Sequence, residues 1–344
     1  MGESNQAAID KSQTSIEYKI GIIGPTRVGK TSLITALLEQ GQELLAGKDV
    51  SIKAVDDGVR ITKYIEALRS SLMADEFNPG TMTGTSEPTT LKLVINAGQS
   101  NLSLGILDYP GSWIGEGNCP VDKEKDWLKC QKWMDESIVL LVPVDAAVVM
   151  ESSNIKVENE AAMSTLQIIQ AESVVRSWAK GRIEKNEQGL LVLAPVKCET
   201  YFSDNGGKQD KSEDLFNRIQ EFYQNLQEIV RKEVTNSKNQ PTILIQYHPI
   251  DTIGCVEIKE AKWIKDSSGL GFEANYLVRP PRRRCPKGAD GLLISICRQI
   301  VSAENNKKNP FIRFWRFLTG DGKKLQQALE TLKREELGTR VKLL

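Results

Sequence analysis

Residues 24–31 read Gly24-Pro25-Thr26-Arg27-Val28-Gly29-Lys30-Thr31, the G-x-x-x-x-G-K-T spacing of a phosphate-binding loop. Its glycines let the backbone curl until successive N–H groups point inward at phosphate oxygens. A helix opening at its end adds the positive end of a dipole. On this reading Lys30 reaches the β- and γ-phosphates and the Thr31 hydroxyl ligates Mg2+, with Ser32 next in the lining. Two elements must hold such a loop. Tyr18-Lys19-Ile20-Gly21-Ile22-Ile23 is an apolar run that reads as a buried strand, and residues 32–45 carry a helical pattern.

Composition narrows the classes. The 344 residues are 40% apolar, enough for a sizeable core and for one large or two ordinary domains. Forty-five basic residues balance forty-five acidic ones, so no global basic field argues for nucleic acid, and none is expected as a partner. Six scattered cysteines form no C-x-x-C pair, which suits reduced thiols and a cytoplasmic protein. A single histidine, His248, argues against His-based zinc sites and His general bases. No apolar run approaches the roughly 20 residues of a membrane span, so no transmembrane segment is expected. Residues 1–16 are polar and read as a disordered tail rather than a signal peptide.

Beyond the first helix, Ser51-Ile52-Lys53-Ala54-Val55 precedes a helical pattern through Val59, Tyr64, Ile65, Leu68 and Leu72. A turn-rich stretch, 78–88, leads into two strand-like runs, 89–96 and 102–107, joined by the hairpin loop 97–101. The second run ends in Asp108-Tyr109-Pro110-Gly111. Downstream, strands at 137–142, 190–194 and 242–245 alternate with a helix over 160–182, an amphipathic helix through Leu215 and Val230, and a closing helix at 290–301. This is the α/β alternation of a mostly parallel sheet covered on both faces.

The antiparallel hairpin that delivers Asp108-x-x-Gly111 after a phosphate-type loop resembles the Ras-like (TRAFAC-class) P-loop GTPases, over about residues 17–301. The resemblance implies a three-layer sandwich with a six-stranded sheet, one strand antiparallel. It implies a domain over 17–302 with a helical insert near 51–78, followed by a basic, aromatic C-terminal extension at 303–344. It places Asp108 in the Mg2+ shell with Thr31, and the Gly111 N–H on the γ-phosphate. A first-switch threonine completes the metal site; Thr85 has the best spacing, with Thr83 and Thr89 as rivals. Lys30, Thr85 and Gly111 thus form the implied catalytic set.

The base-selecting motif departs from the family's Asn/Thr-Lys-x-Asp. Here it is Pro195-Val196-Lys197-Cys198-Glu199. Lys197 can lie across a purine face and Glu199 can accept from guanine N1–H and N2–H2, but Val196 cannot make the polar contact to the loop. Residues 251–255 correspond to the final loop, which leans on the base. Where the family often has a water-orienting glutamine, this chain has Ser112, which implies slow hydrolysis. Arg27 either leans over the γ-phosphate or faces solvent or a partner.

The implied function is a GTP/GDP switch with slow Mg2+-dependent hydrolysis, with an effector or activating protein as its partner. It is similar in its divergent base motif to bacterial double-GTPases linked to signalling or conflict systems. A hydrolysis-deficient nucleotide-binding scaffold and an ATP-dependent enzyme are the alternatives, and the hairpin argues against the second. Arg279-Pro280-Pro281-Arg282-Arg283-Arg284 reads first as a solvated basic loop, with contact to phosphate, an acidic partner or nucleic acid as the alternatives. Phe311-Ile312-Arg313-Phe314-Trp315-Arg316-Phe317-Leu318 either packs back on its own domain or suits a groove-binding helix for a partner protein, with peripheral membrane contact through 307–324 as a further option.

Overall fold

The computed structural model describes residues 17–55, 58–79, 85–97, 100–114, 119–152, 155–235, 242–266, 269–306 and 337–344. The expected tail 1–16, Thr83 and the stretch 307–324 lie outside the described residues.

The elements run β1 (Glu17–Ile22), α1 (Lys30–Leu45), β2 (Ser51–Val55), α2 (Gly58–Ser71), β3 (Glu76–Phe77), β4 (Thr89–Ala97) and β5 (Ser100–Asp108). Then come α3 (Glu124–Glu136), β6 (Val139–Asp145), α4 (Ala146–Met150), α5 (Lys156–Thr165), α6 (Ile168–Glu184), β7 (Gly189–Val196), α7 (Ser212–Phe222) and α8 (Gln224–Thr235). The chain closes with β8 (Ile243–Tyr247), β9 (Val256–Asp266), β10 (Gly269–Val278), α9 (Ala289–Asn306) and β11 (Lys342–Leu343).

The central sheet is ordered β11-β8-β7-β6-β1-β5-β4-β2, with β5, β1, β6, β7 and β8 mutually parallel. The expected α/β architecture with a mostly parallel sheet therefore holds. The expected six strands do not: among the described residues there are eight, and two of them, β4 and β11, run against the rest. The additions are edge strands. In β2 only Ile52 is buried, so its apolar signal is weak, and β11 is two residues long. Every residue of β6 and β7 is buried, as a strand covered on both faces requires. On one face α1 and α9 pack Leu33, Leu37, Leu292 and Ile296 into the core. On the other, α3, α6, α7 and α8 contribute Trp127, Trp178, Ile219 and Leu226.

Two expected helices are each divided. The 160–182 pattern splits into α5 and α6 at Gln167, whose φ of 51° is left-handed. The amphipathic run breaks at Tyr223 between α7 and α8. A second sheet, β3-β10-β9, was not expected at all. Residues along β10 alternate between partly buried and exposed, without the continuous apolar run that marks a central strand. Its base packs Val256, Tyr276 and Val278 against Leu68 and Leu72 of α2, Phe77 of β3 and Ile253. That small core forms a wall beside the carboxyl ends of the central strands.

Candidate functional site

The chain leaves β1 and enters α1 through two left-handed residues, Arg27 (φ 64°) and Gly29 (φ 110°). At Arg27 this costs about 1–2 kcal/mol relative to ordinary backbone, so the surroundings must hold it. Gly29 is the N-cap of α1 and offers no side-chain acceptor to the first turn. Among the described residues, the N–H groups of Thr26, Arg27, Val28 and Gly29 have no protein acceptor. The Lys30 ammonium folds back over the loop and donates to the carbonyls of Gly24 (2.9 Å) and Pro25 (3.0 Å), 5.4 Å from the centre of the Tyr109 ring. Burial lowers its pKa to about 8, against the opposing charge of Asp108.

Val28 is buried, and Val196 covers Gly29: a Cβ added there would lie 3.4 Å from Val196 Cγ2. The clasp between β7 and the loop is thus apolar. The polar tie comes instead from Lys197, whose ammonium donates to the Arg27 carbonyl at 3.3 Å. The side chains of Thr26 and Arg27 are exposed, and Ser32 Oγ contacts the Tyr64 hydroxyl at 2.6 Å.

Asp108, at the end of β5, gathers three groups on one oxygen. Its Oδ2 accepts from Thr31 Oγ1 (3.2 Å), Thr85 Oγ1 (2.7 Å) and Arg60 Nη2 (3.0 Å), and Arg60 also donates to Thr85 Oγ1 at 2.8 Å. Asp108 Oδ1 is buried with no partner. Thr89 sits opposite Asp108 in the β4–β5 register, but its hydroxyl donates to the Glu87 carbonyl. Among the described threonines, Thr31 and Thr85 are the ones on the Asp108 carboxylate. Two hydroxyls and one carboxylate form an oxygen-only donor set that suits a hard cation such as Mg2+. The orphaned Oδ1 leaves capacity for a further partner, so these residues fit such an ion. Among the described residues no cluster of three or more His, Cys, Asp or Glu could hold a metal.

Gly111 opens a short turn, Gly111–Trp113, pressed against the loop. A Cβ there would fall 2.2 Å from Pro25 C and from Thr26 N, so only glycine fits. Tyr109 is fully buried, and its hydroxyl accepts from the Gly24 N–H at 3.4 Å. Ser112 is exposed and Trp113 buried.

Lys197 and Glu199 follow β7. Lys197 has a φ of 60° and pairs with Asp145, which also caps α4 by accepting from the Ala147 N–H at 3.1 Å. Glu199 is buried, and its Oε1 accepts from the N–H groups of Ile253 (2.7 Å) and Gly254 (3.0 Å). Desolvation and the nearby Asp251 push its carboxyl up to about 7. One cleft of about 960 Å³, open mouth included, connects Lys30 and Thr31 at one end with Glu199 and Ile253 at the other. Its wall is apolar: Leu68, Phe77, Val256 and Tyr276.

Of the residues expected for phosphate, metal and base, Thr26, Arg27, Gly29, Lys30, Thr31, Ser32, Thr85, Gly111, Lys197 and Glu199 line this cleft, Asp108 sits in the carboxylate cluster beside it, and Gly24, Pro25 and Val28 lie behind the lining. The sequence reading missed Arg60, Asp145 and the apolar wall. Asp145 had a signal, an aspartate closing an apolar run just before Ala146-Ala147, where helix caps belong. Arg60 had none. The basic loop is less solvated than expected, because Arg284 is buried and pairs with Glu39 at 3.1 Å. No family model matches this sequence, and no curated protein matches it. No helix among the described residues is long and apolar enough to cross a membrane.

Proposed function

We propose that the chain is a Mg2+-dependent guanine-nucleotide switch of the Ras-like GTPase kind, its switch domain spanning about 17–302. The observation that carries this reading is the convergence of Thr31, Thr85 and Asp108, from three separate segments, on the cleft that also holds Lys30 and Glu199. In this reading the unpaired amides of residues 26–29 and the Lys30 ammonium receive the phosphates. Thr31, Thr85 and Asp108 hold Mg2+, which supplies charge neutralisation to the phosphate oxygens when bound. The Gly111 N–H senses the terminal phosphate, Lys197 lies along the base, and Glu199 accepts from its polar edge. The apolar wall of Leu68, Phe77 and Tyr276 suits the flat face of a purine.

Hydrolysis is slow in this scheme. Ser112 is exposed and too short to orient an attacking water, and Arg27 is exposed on the rim of the cleft. An effector or activating protein would supply the missing group. The same exposure of Ser112 favours a second reading, a nucleotide-binding scaffold without useful hydrolysis. Bound GTP that survives long incubation with Mg2+ would select it.

The test is calorimetry with GTP, GDP and ATP on wild type and Glu199→Ala. The expected result is guanine over adenine nucleotides by at least about tenfold, a difference of roughly 1.4 kcal/mol, and loss of that preference in Glu199→Ala. Equal affinity for all three would defeat the guanine assignment and leave an adenine-tolerant phosphate site.

A further inference from the structure

The end of the chain returns to the base side of the cleft. β11 pairs with the free edge of β8, Lys342 opposite Tyr247 and Leu343 opposite Gln246, and the Leu344 N–H donates to the Ile245 carbonyl at 2.9 Å. Just before it, Arg340 is buried, its guanidinium 4.0 Å from the Phe202 ring. Its Nη2 donates to Asp251 Oδ2 at 2.9 Å, and its Nε to Asp204 Oδ2 at 3.0 Å.

Asp251 begins the loop whose next residues line the cleft. It is fully buried, and its Oδ2 also accepts from Asn205 Nδ2 at 3.0 Å. Two and three residues on, the Ile253 and Gly254 amides are the donors to Glu199. Arginines also hold the carbonyls between: Arg284 reaches Thr252 O at 3.1 Å and Arg279 reaches Gly254 O at 2.9 Å. Arg340 alone among these three meets a carboxylate on the loop itself. Asp251 and Glu199 are two buried acids close enough to influence each other. A buried charge stripped of its partner is strongly unfavourable, so loss of Arg340 favours opening of the loop to hydrate Asp251 over its closed form, in which only Asn205 is left on the Oδ2 atom.

We propose that Arg340, brought in by the C-terminal strand, is a positioning residue for base recognition: it holds Asp251, and through it the Ile253 and Gly254 amides that orient Glu199. The inference rests on the reading of Glu199 as the base-contacting carboxylate. It makes docking of the C-terminal strand and discrimination of the base two ends of one equilibrium.

The experiment compares wild type, Arg340→Leu, Arg340→Lys and the double variant Arg340→Leu with Asp251→Asn. Two quantities are read: the ratio of GDP to ADP affinity, and amide hydrogen exchange at Ile253 and Gly254 without nucleotide. Arg340→Leu is expected to weaken GDP by about tenfold, roughly 1.4 kcal/mol, with ADP unchanged, and to speed exchange at both amides. The double variant, with no unpaired charge left, should recover most of the ratio. Arg340→Lys keeps the charge and should shift both readouts less, in the same direction. If Arg340→Leu fails to fold, Arg340→Lys and the double variant carry the comparison. Exchange at Ile253 and Gly254 that is unaltered in every folded variant overturns the proposal. So does an unaltered affinity ratio in a wild type that prefers GDP. Equal GDP and ADP affinity in wild type counts against the guanine reading alone, and the exchange measurement then decides the role of Arg340 by itself.

Discussion

The Arg60 guanidinium lies 3.0 Å from the Asp108 carboxylate, on the same oxygen that Thr31 and Thr85 reach. A divalent cation bound by those three residues would share this position with a positive charge at hydrogen-bonding distance, which Coulomb repulsion disfavours. Arg60 and Mg2+ are therefore competitors in the proposed switch. Arg60→Ala should bind Mn2+, a spectroscopic stand-in, more tightly in the presence of GDP. Without metal the same variant should unfold more easily, by about 1 kcal/mol, because the buried Asp108 loses a charged donor. Metal titration followed by electron paramagnetic resonance, with thermal melts in parallel, checks both. Unchanged Mn2+ affinity in Arg60→Ala would remove the competition.

Two buried groups give nucleotide affinity opposite pH limbs. Phosphate binding needs the Lys30 ammonium, whose pKa burial lowers to about 8, so affinity falls as pH rises through that value. Guanine binding needs the Glu199 carboxylate, whose pKa burial raises to about 7, so affinity falls as pH drops through that value. GDP affinity should peak between about 7 and 8. Both ligands also carry the secondary ionisation of a terminal phosphate at about pH 6, so inorganic pyrophosphate, which has no base, gives the acid limb of the phosphate alone. Wild-type GDP should lose affinity at higher pH than pyrophosphate does, and Glu199→Gln should bring the acid limb of GDP down to that of pyrophosphate. Calorimetric titration from pH 6 to about 9 reads all three profiles, and coincident acid limbs for GDP and pyrophosphate in wild type would remove Glu199 from the titration.

Gly111→Ala places a methyl 2.2 Å from two backbone atoms of residues 25 and 26, neither of which can yield by rotating a side chain. The Asp108–Gly111 turn and the loop must separate. The cost should be about 1–3 kcal/mol of stability, the usual penalty of overpacking, with weaker nucleotide binding. Denaturant unfolding beside wild type measures it. A variant as stable as wild type would mean that the two segments are not in contact in solution.

What was legible follows from locality. The strand, loop and helix around Lys30 are contiguous, and the hairpin into Asp108 needs a short turn, so both can be read from local pattern. The meeting of Thr31 with Asp108 follows because β1 and β5 are parallel neighbours, which puts both carboxyl ends on one edge. Arg60 and Arg340 act across distance without a local signature, unlike Asp145, which caps the helix that follows it. Arg60 reaches Asp108 over 48 positions, and Arg340 reaches Asp251 over 89. β2 and the β9–β10 hairpin escaped because they bury little on at least one face, so their patterns lack the apolar density that betrays β6 and β7. Gln167 looks like an ordinary helix residue, and its left-handed backbone answers to packing rather than propensity.

The two-residue length of β11 also governs how the molecule behaves in a crowd of its own copies. An uncovered sheet edge is a template on which another chain can build, and short, charged edge strands blunt it. β11 does both: it caps part of the five-residue β8 and sets Lys342 on the rim, paired with Glu213 at 2.5 Å. Removing residues 339–344 would bare Ile245, Gln246 and Tyr247 on that edge and invite strand pairing between molecules, so the shortened protein should self-associate as its concentration rises.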